Sequence, residues 1–245
     1  MGHGRGDSEL IGDAEVLGAI DVVVTPLDET PEAEIDAAAV LSADERRRAS
    51  RFAFQRDRRR YIVGRARLRQ LLATRLGVSP ATIGLGYGPR GKPRLAGRFA
   101  ASGWQFNVSH ADQMAAFVFA RGRSVGIDIE AVRALPDADD VADRAFSPLE
   151  RRTYAALDAQ TKPQGFFNCW TRKEAFVKAL GAGLFHRLDR FDVTLAPDEP
   201  ARILRVDRTP GDRCRWALHS VQPAPGFACA LVVQRSPKLH YGGWA

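Results

Sequence analysis

The cleanest alternation of apolar and polar positions in the chain is Val125-Gly126-Ile127-Asp128-Ile129-Glu130. A period of two is that of a β-strand, whose successive side chains point to opposite faces. Val125, Ile127 and Ile129 therefore face a core, and Asp128 and Glu130 project together from the other side. The Val- and Ile-rich run Val16 to Thr25 predicts another strand, stopped by Pro26. Trp104–Ser109, Met114–Arg121 and Val125–Glu130 read as a three-stranded antiparallel meander, with turns at His110–Gln113 and Gly122–Ser124. Later strands are expected around Phe191–Leu195, Arg202–Val206, Arg215–Val221 and Ala228–Val233, separated by turns such as Pro210-Gly211-Asp212 and Pro223-Ala224-Pro225-Gly226. Gly84 to Pro93 holds four glycines and two prolines and reads as a turn-rich segment. It ends in Gly91-Lys92-Pro93, where the lysine is expected to point into solvent.

Other stretches carry the helical period. Asp57 to Leu76 is the longest, with Tyr61, Val63, Leu68, Leu71, Leu72 and Leu76 as its apolar face and Gly77 as its stop. Ser42-Ala43-Asp44-Glu45 is a capping box that starts a helix running to about Phe52. Ser147-Pro148-Leu149-Glu150 is a second such start, for a helix ending near Leu157. Asp158 to Gly165, which contains Pro163, reads as a loop. Phe166 to Leu180 is the second main helix, ended by Gly181-Ala182-Gly183. The pattern predicts an α+β fold of pseudo-duplicated halves, each a long helix packed on a small, mostly antiparallel sheet. The halves are set at residues 14–122 and 123–235, between a Gly-rich mobile tail (1–13) and a second tail (236–245).

Composition sharpens the picture at one place. The chain of 245 residues is 45% hydrophobic and 27% charged, ordinary for a globular protein. Its net charge of +7 and pI of about 9.8 point to an anionic partner. The charge is uneven: Arg46 to Arg69 contains eleven arginines and one acid, Asp57. A solvated helix face is the plainer account, but one acid among eleven arginines leaves few salt bridges, and a bound anion explains the run better. Three cysteines without a C-x-x-C pair fit a reducing compartment. There is no apolar signal-peptide core, and the longest apolar run, Met114 to Ala120, is too short to span a bilayer. A cytoplasmic chain without a membrane partner is the expectation.

Asp128 and Glu130 alone are most simply two surface acids on an edge strand. The stretch from Phe166 to Leu184 changes that balance. On its helix Trp170, Glu174 and Lys178 stand four apart and share a face. A Glu174–Lys178 ion pair on that face is worth only ~0.3–0.5 kcal/mol. If instead Glu174 is a third carboxylate beside Asp128 and Glu130, the set suits a hard cation such as Mg²⁺, and Lys178 meets an anion held by the same metal. Three carboxylates, a lysine and a basic helix make a site for a metal-bound pyrophosphate.

These residues resemble a known family. Gly126-Ile127-Asp128-x-Glu130, a gap of about forty residues, and Trp170-x-x-Lys173-Glu174-Ala175-x-x-Lys178-Ala179-x-Gly181-x-Gly183-Leu184 resemble the 4′-phosphopantetheinyl transferases of the long, two-half type. Gly64-Arg65-x-x-Leu68-Arg69, Gly91-Lys92-Pro93 and Phe106-Asn107-Val108-Ser109-His110 are supporting matches, so the likeness spans about Ser42 to Leu184. It implies transfer of 4′-phosphopantetheine from coenzyme A to a serine of an apo carrier protein of fatty-acid, polyketide or nonribosomal peptide synthesis, with release of 3′,5′-ADP. By residue, it implies that Asp128, Glu130 and Glu174 hold Mg²⁺, that Glu174 takes the serine proton directly or through water, and that Lys178 binds the pyrophosphate. Ser109 and His110 contact the 3′-phosphate with Arg60 and Arg48, and Lys92 lies near the adenine end. The partners implied are coenzyme A and acidic helical carrier proteins. A monomer is expected, because a duplicated chain supplies what a half-length relative makes at a subunit interface.

Two other readings share parts of this pattern. A nucleic-acid binder would use the basic helix, but no recognised nucleic-acid motif accompanies it. A Mg²⁺-dependent phosphohydrolase would use the carboxylates and release phosphate from small substrates without a carrier protein.

Overall fold

A computed structural model of the chain describes residues 20–89, 91–181, 187–207 and 212–235. The expected tails, the first residues of the 16–25 strand, the Ala182-Gly183 end of the second main helix and most of the Pro210-Gly211-Asp212 turn lie outside them. In chain order the described elements are β1 (Ile20–Pro26), α1 (Pro31–Ala39), α2 (Ala43–Ala49), α3 (Gln55–Leu76), β2 (Leu85–Tyr87), β3 (Pro93–Leu95), β4 (Trp104–Ala111) and β5 (Met114–Arg121). Then come β6 (Val125–Ala131), α4 (Ala138–Ala145), α5 (Pro148–Ala155), α6 (Lys162–Leu180), β7 (Phe191–Val193), β8 (Ile203–Val206), β9 (Trp216–Val221) and β10 (Phe227–Gln234).

The second series repeats the first. Each runs strand, two short helices, long helix, small hairpin, two strands. The sheet orders repeat as well, β1-β5-β4 and β6-β10-β9, all antiparallel, with the two-stranded pairs β2-β3 and β7-β8 beside them. The fold is therefore α+β with two equivalent halves. Helix α3 buries Val63, Leu68, Leu72 and Ala73 against Phe106, Phe117 and Phe119 of the first sheet. Helix α6 buries Phe166, Phe176, Val177 and Ala179 against Ala228, Ala230 and Val232 of the second. The other faces of the sheets meet: Val22, Val24, Ala116 and Val118 share a core with Ile127, Ile129, Leu231 and Val233. Each sheet thus has a helix on one face and the other sheet on its second, the layering that buries every apolar face.

Each half is also pinned by the same polar device. In α2 the capping box closes as expected, Ser42 N–H donating to Glu45 Oε2 at 2.8 Å, and the buried Arg69 of α3 donates from Nε to that carboxylate at 2.7 Å. In α5 Ser147 N–H donates to Glu150 Oε2 at 2.7 Å, and the buried Lys173 of α6 lies 2.7 Å from the same oxygen. Lys173 spends further donors on Leu188 O and Phe191 O, both at 2.7 Å.

Several expectations fail for identifiable reasons. β6 does not extend the β4–β5 meander. β5 already pairs on both edges, with β1 and β4, so the chain crosses at Gly122–Ser124 into the second sheet, Gly122 taking φ 63°. The β4–β5 turn is only Asp112-Gln113, with Asp112 at φ 46°, so His110 sits inside the strand opposite Ala115. Helix α6 begins at Lys162, not Phe166, because a proline in the first turn removes an N–H that would have no intrahelical partner. Helix α1 has a regular start, with Thr30 accepting from Ala33 N–H and Pro31 at the first helical position. It buries Ala37 alone and leaves Ile35 exposed, so no apolar stripe announces it. The turn-rich segment contains the β2–β3 hairpin, Leu85 opposite Leu95.

Candidate functional site

The site is set by how closely α6 lies on β6. A Cβ on Gly126 would come 2.1 Å from Ala175 O and 2.4 Å from Ala179 N, so only glycine permits the approach. The face of β6 that meets α6 is therefore that of Gly126, Asp128 and Glu130, and Val125, Ile127 and Ile129 point into the core between the sheets. The first half contributes β4, which runs beside β6. Asn107 Oδ1 accepts from Ile127 N–H at 2.8 Å, and Ser109 Oγ donates to Asp128 Oδ1 at 2.8 Å.

Asp128 is not a surface acid; it is 4% accessible. Its Oδ1 also receives Lys178 Nζ at 2.6 Å, and Lys178 bonds Ser109 Oγ at 3.0 Å. Its Oδ2 is buried without a hydrogen-bond partner. Glu130 and Glu174 belong to the same electrostatic cluster. Burial, and then the charge of Asp128, push Glu130 up to about 7. The same two causes raise Glu174 above the ordinary carboxylate range, with Lys178 opposing them. A carboxylate with a buried orphan oxygen, beside two acids that its charge makes harder to ionise, has the oxygen chemistry that a divalent cation would relieve. Among the described residues no three acid, histidine or cysteine side chains are gathered closely enough to hold a metal ion as the chain stands. As the chain stands, the Lys178 ammonium neutralises Asp128.

The remaining expected site residues divide. His110, exposed near the end of β4, feels the charges of Lys178, Arg65 and Asp128, and loss of surrounding water followed by those two cations holds its pKa below the ordinary 6.5. Arg48 lines a cleft of about 760 Å³ in the first half, together with Arg51, Tyr61 and Tyr87, and its guanidinium lies 5.8 Å from the Tyr61 ring centroid. Arg60 is instead held by Asp28 in a two-bonded pair, Nε–Oδ1 at 2.7 Å and Nη2–Oδ2 at 2.8 Å. Lys92 does not point into solvent. Its Nζ donates to Val125 O at 2.8 Å and Lys178 O at 2.7 Å, joining the first half to the start of β6 and the end of α6. Burial, then Lys178, lowers its pKa to about 8. Trp170 shares the helix face of Glu174 but stacks on Phe166.

Three contributors had no role assigned from the sequence, although two of them, Arg65 and Asn107, stand in the matching motifs. Arg65 donates to Tyr87 Oη at 3.1 Å and its charge acts on His110, so it joins the basic cleft to the acid cluster. Asn107 ties β4 to β6, and a signal for it was legible: Asn107 and Ser109 are two apart in β4 and so share one face. Asp112, in the left-handed turn, adds negative charge near both Glu130 and Arg60.

Comparison with known proteins bears on the same residues. Residues 124–232 match the family model described as the 4′-phosphopantetheinyl transferase superfamily, and residues 29–121 match that of the 4′-phosphopantetheinyl transferase N-terminal region. The chain is 40% identical over 209 residues to the 4′-phosphopantetheinyl transferase HetI of Nostoc sp. strain PCC 7120, covering 85% of this chain and 84% of that one. It is 33% identical over 160 residues to a 4′-phosphopantetheinyl transferase of Bacillus subtilis, covering 65% of this chain and 69% of that one. It is 27% identical over 191 residues to the 4′-phosphopantetheinyl transferase Sfp of Bacillus subtilis strain 168, covering 78% and 81%. With the repeated halves and the buried acids at their seam, these matches establish that the chain belongs to the 4′-phosphopantetheinyl transferase superfamily, in its two-half, Sfp-like type.

Proposed function

We propose that this enzyme transfers the 4′-phosphopantetheine arm of coenzyme A to a serine hydroxyl of an apo carrier protein and releases 3′,5′-ADP. The serine oxygen attacks the β-phosphorus, the bond from that phosphorus to the bridging oxygen breaks, and the bridging electrons leave on 3′,5′-ADP. Family membership supports the reaction, and one observation ties it to this seam: the buried Asp128, with an orphan oxygen, shared between Ser109 of one half and Lys178 of the other.

Asp128, Glu130 and Glu174 are the residues that would hold a Mg²⁺ ion. Bound there, such an ion neutralises the pyrophosphate and stabilises charge on the leaving group. Glu174, its carboxyl raised by burial, is suited to take the serine proton. Lys178 is free to bind pyrophosphate once another cation neutralises Asp128. Ser109 and His110 receive the 3′-phosphate, His110 as a neutral N–H donor near pH 7. Arg48 is better placed to assist than Arg60, which Asp28 already neutralises, and Arg65, 3.6 Å from the buried Glu45, adds its charge from the side. Lys92 sets where Lys178 stands rather than touching the nucleotide. The carrier is acidic, and the positive chain steers the encounter.

The test is incubation with coenzyme A, Mg²⁺ and a panel of apo carrier proteins, read by intact mass. One added phosphopantetheine per carrier and equimolar 3′,5′-ADP is the expected result. Inorganic phosphate released at the same rate without any carrier would contradict it.

A further inference from the structure

Arg172 is a buried cation that pairs with no acid among the described residues. In each half the long helix sends one cation to the capping-box glutamate, Arg69 to Glu45 and Lys173 to Glu150. That shared contact aligns the two helices, so Arg172 stands where the first half has Leu68. Leu68 is 2% accessible in an apolar core, and Arg172 is 3% accessible. Arg172 Nη1 donates to Thr194 O at 2.7 Å and Thr194 Oγ1 at 3.0 Å, and Nη2 donates to Ser220 Oγ at 3.2 Å. These acceptors are neutral, and among the described residues no carboxylate bonds the guanidinium. Burial lowers its pKa to about 10, and Glu199 opposes this only through space. Burying a charge against neutral acceptors is costly, and the leucine of the first half shows that the fold does not need one at this position.

Arg172 is reached from two adjoining clefts of about 980 and 480 Å³, which share Arg172, Pro197 and Ser220. The larger also carries Arg202, Arg213 and Arg235, against Asp198 and Glu199. Residues two apart on a helix do not share a face, so this groove lies on the far side of α6 from Glu174. We propose that the groove is a second binding site, separate from the acid cluster, for a multiply charged oxyanion of the pyrophosphate class, with Arg172 as its buried anchor. The planar fork of a guanidinium suits such an oxyanion, and the exposed arginines supply the remaining charge.

Hydrogen exchange of the whole metal-free chain with inorganic pyrophosphate tests this. The expected result is slowed exchange in residues 197–203 and 216–220, lost in Arg172→Leu, which installs the residue of the first half. Arg172→Leu should also unfold at or above the wild-type temperature in buffer alone, because a buried charge is gone. Protection confined to the segments around Ser109, Asp128 and Lys178 would overturn the proposal, as would protection of the groove that survives Arg172→Leu. Should that variant not fold, Arg202→Glu with Arg235→Glu, both on the surface, gives the same decision: loss of groove protection supports the site, and unchanged protection overturns it.

Discussion

The two halves share a scaffold and divide the chemistry. β1 and β6 hold the same place in their sheets, and the register aligns them: Asp21, Val23 and Thr25 face Phe119, Phe117 and Ala115 as Gly126, Asp128 and Glu130 face Val232, Ala230 and Ala228. At one aligned position the first half has a valine in the α3 core, and the second has a buried carboxylate under α6. The neighbouring edge strands differ as well. β4 brings Asn107 and Ser109 to the seam, where β9 has His219 and Val221 at the matching places. The duplication thus supplies one acid face and one polar edge, and the candidate site lies where the first half's edge meets the second half's acids. What differs is a handful of side chains on two strands, set on backbones of the same order.

The comparison can be broken most severely at Gly126. Gly126→Ala should destabilise the chain by about 3 kcal/mol or more and abolish transfer, because the added Cβ meets backbone of α6 and cannot be relieved by a rotamer. Asp21→Ala, at the aligned position of the first half, removes an exposed carboxylate from Arg75, which keeps Leu71 O and the Phe119 ring, and should cost less than ~1 kcal/mol. Urea unfolding of both variants decides this; equal losses would contradict the asymmetry.

The shared scaffold predicts a symmetric result next. Glu45→Ala and Glu150→Ala each strand a buried cation, Arg69 or Lys173, and should each cost ~3–5 kcal/mol in denaturant unfolding. A cost confined to one half would mean that the two capping boxes are not equivalent.

A smaller effect separates the halves by pH. Glu130 has a folded pKa of about 7 against an ordinary 4.5. A carboxyl whose folded pKa is raised binds its proton more tightly folded than unfolded. Its stabilising contribution is therefore complete below about 4.5 and is lost as pH rises through about 7. The melting temperature of the metal-free chain should fall across that window. Glu130→Gln should flatten the fall, and Mg²⁺ should oppose it at the upper end. A wild-type profile identical to that of Glu130→Gln would contradict the crowding of acids.

The smallest expected effect concerns the carrier. Arg151 and Arg152 are exposed on α5, just beyond the segment that follows β6. Reversing both to glutamate should slow carrier modification several-fold without changing coenzyme A binding, and the loss should shrink with salt because exposed charges are screened beyond ~8–10 Å. An unchanged KM for the carrier would place its docking surface elsewhere.

Much of this was legible in the chain. Alternation placed Asp128 and Glu130 on one face, and the four-residue spacing placed Glu174 and Lys178 on another. Both capping boxes and the Gly77 stop are local chemistry and appear where they were expected. Contacts between residues distant in the chain were not legible. Lys92 sits in a turn that reads as solvent-facing, yet its ammonium binds carbonyls 33 and 86 residues away. Arg60 reads as a free cation until Asp28, 32 residues earlier, is folded beside it. The crossing of β6 into a second sheet follows from β5 having no free edge, a property of the assembled sheet rather than of any segment.

The central claim is that the acids of the second half carry the transfer, and Asp128→Ala tests it most directly. With saturating coenzyme A and Mg²⁺, the rate of phosphopantetheine addition to an apo carrier, read by intact mass, should fall on the order of a thousandfold or more while the far-UV circular dichroism stays that of the wild type. Modification at the wild-type rate by a folded Asp128→Ala chain would contradict the account.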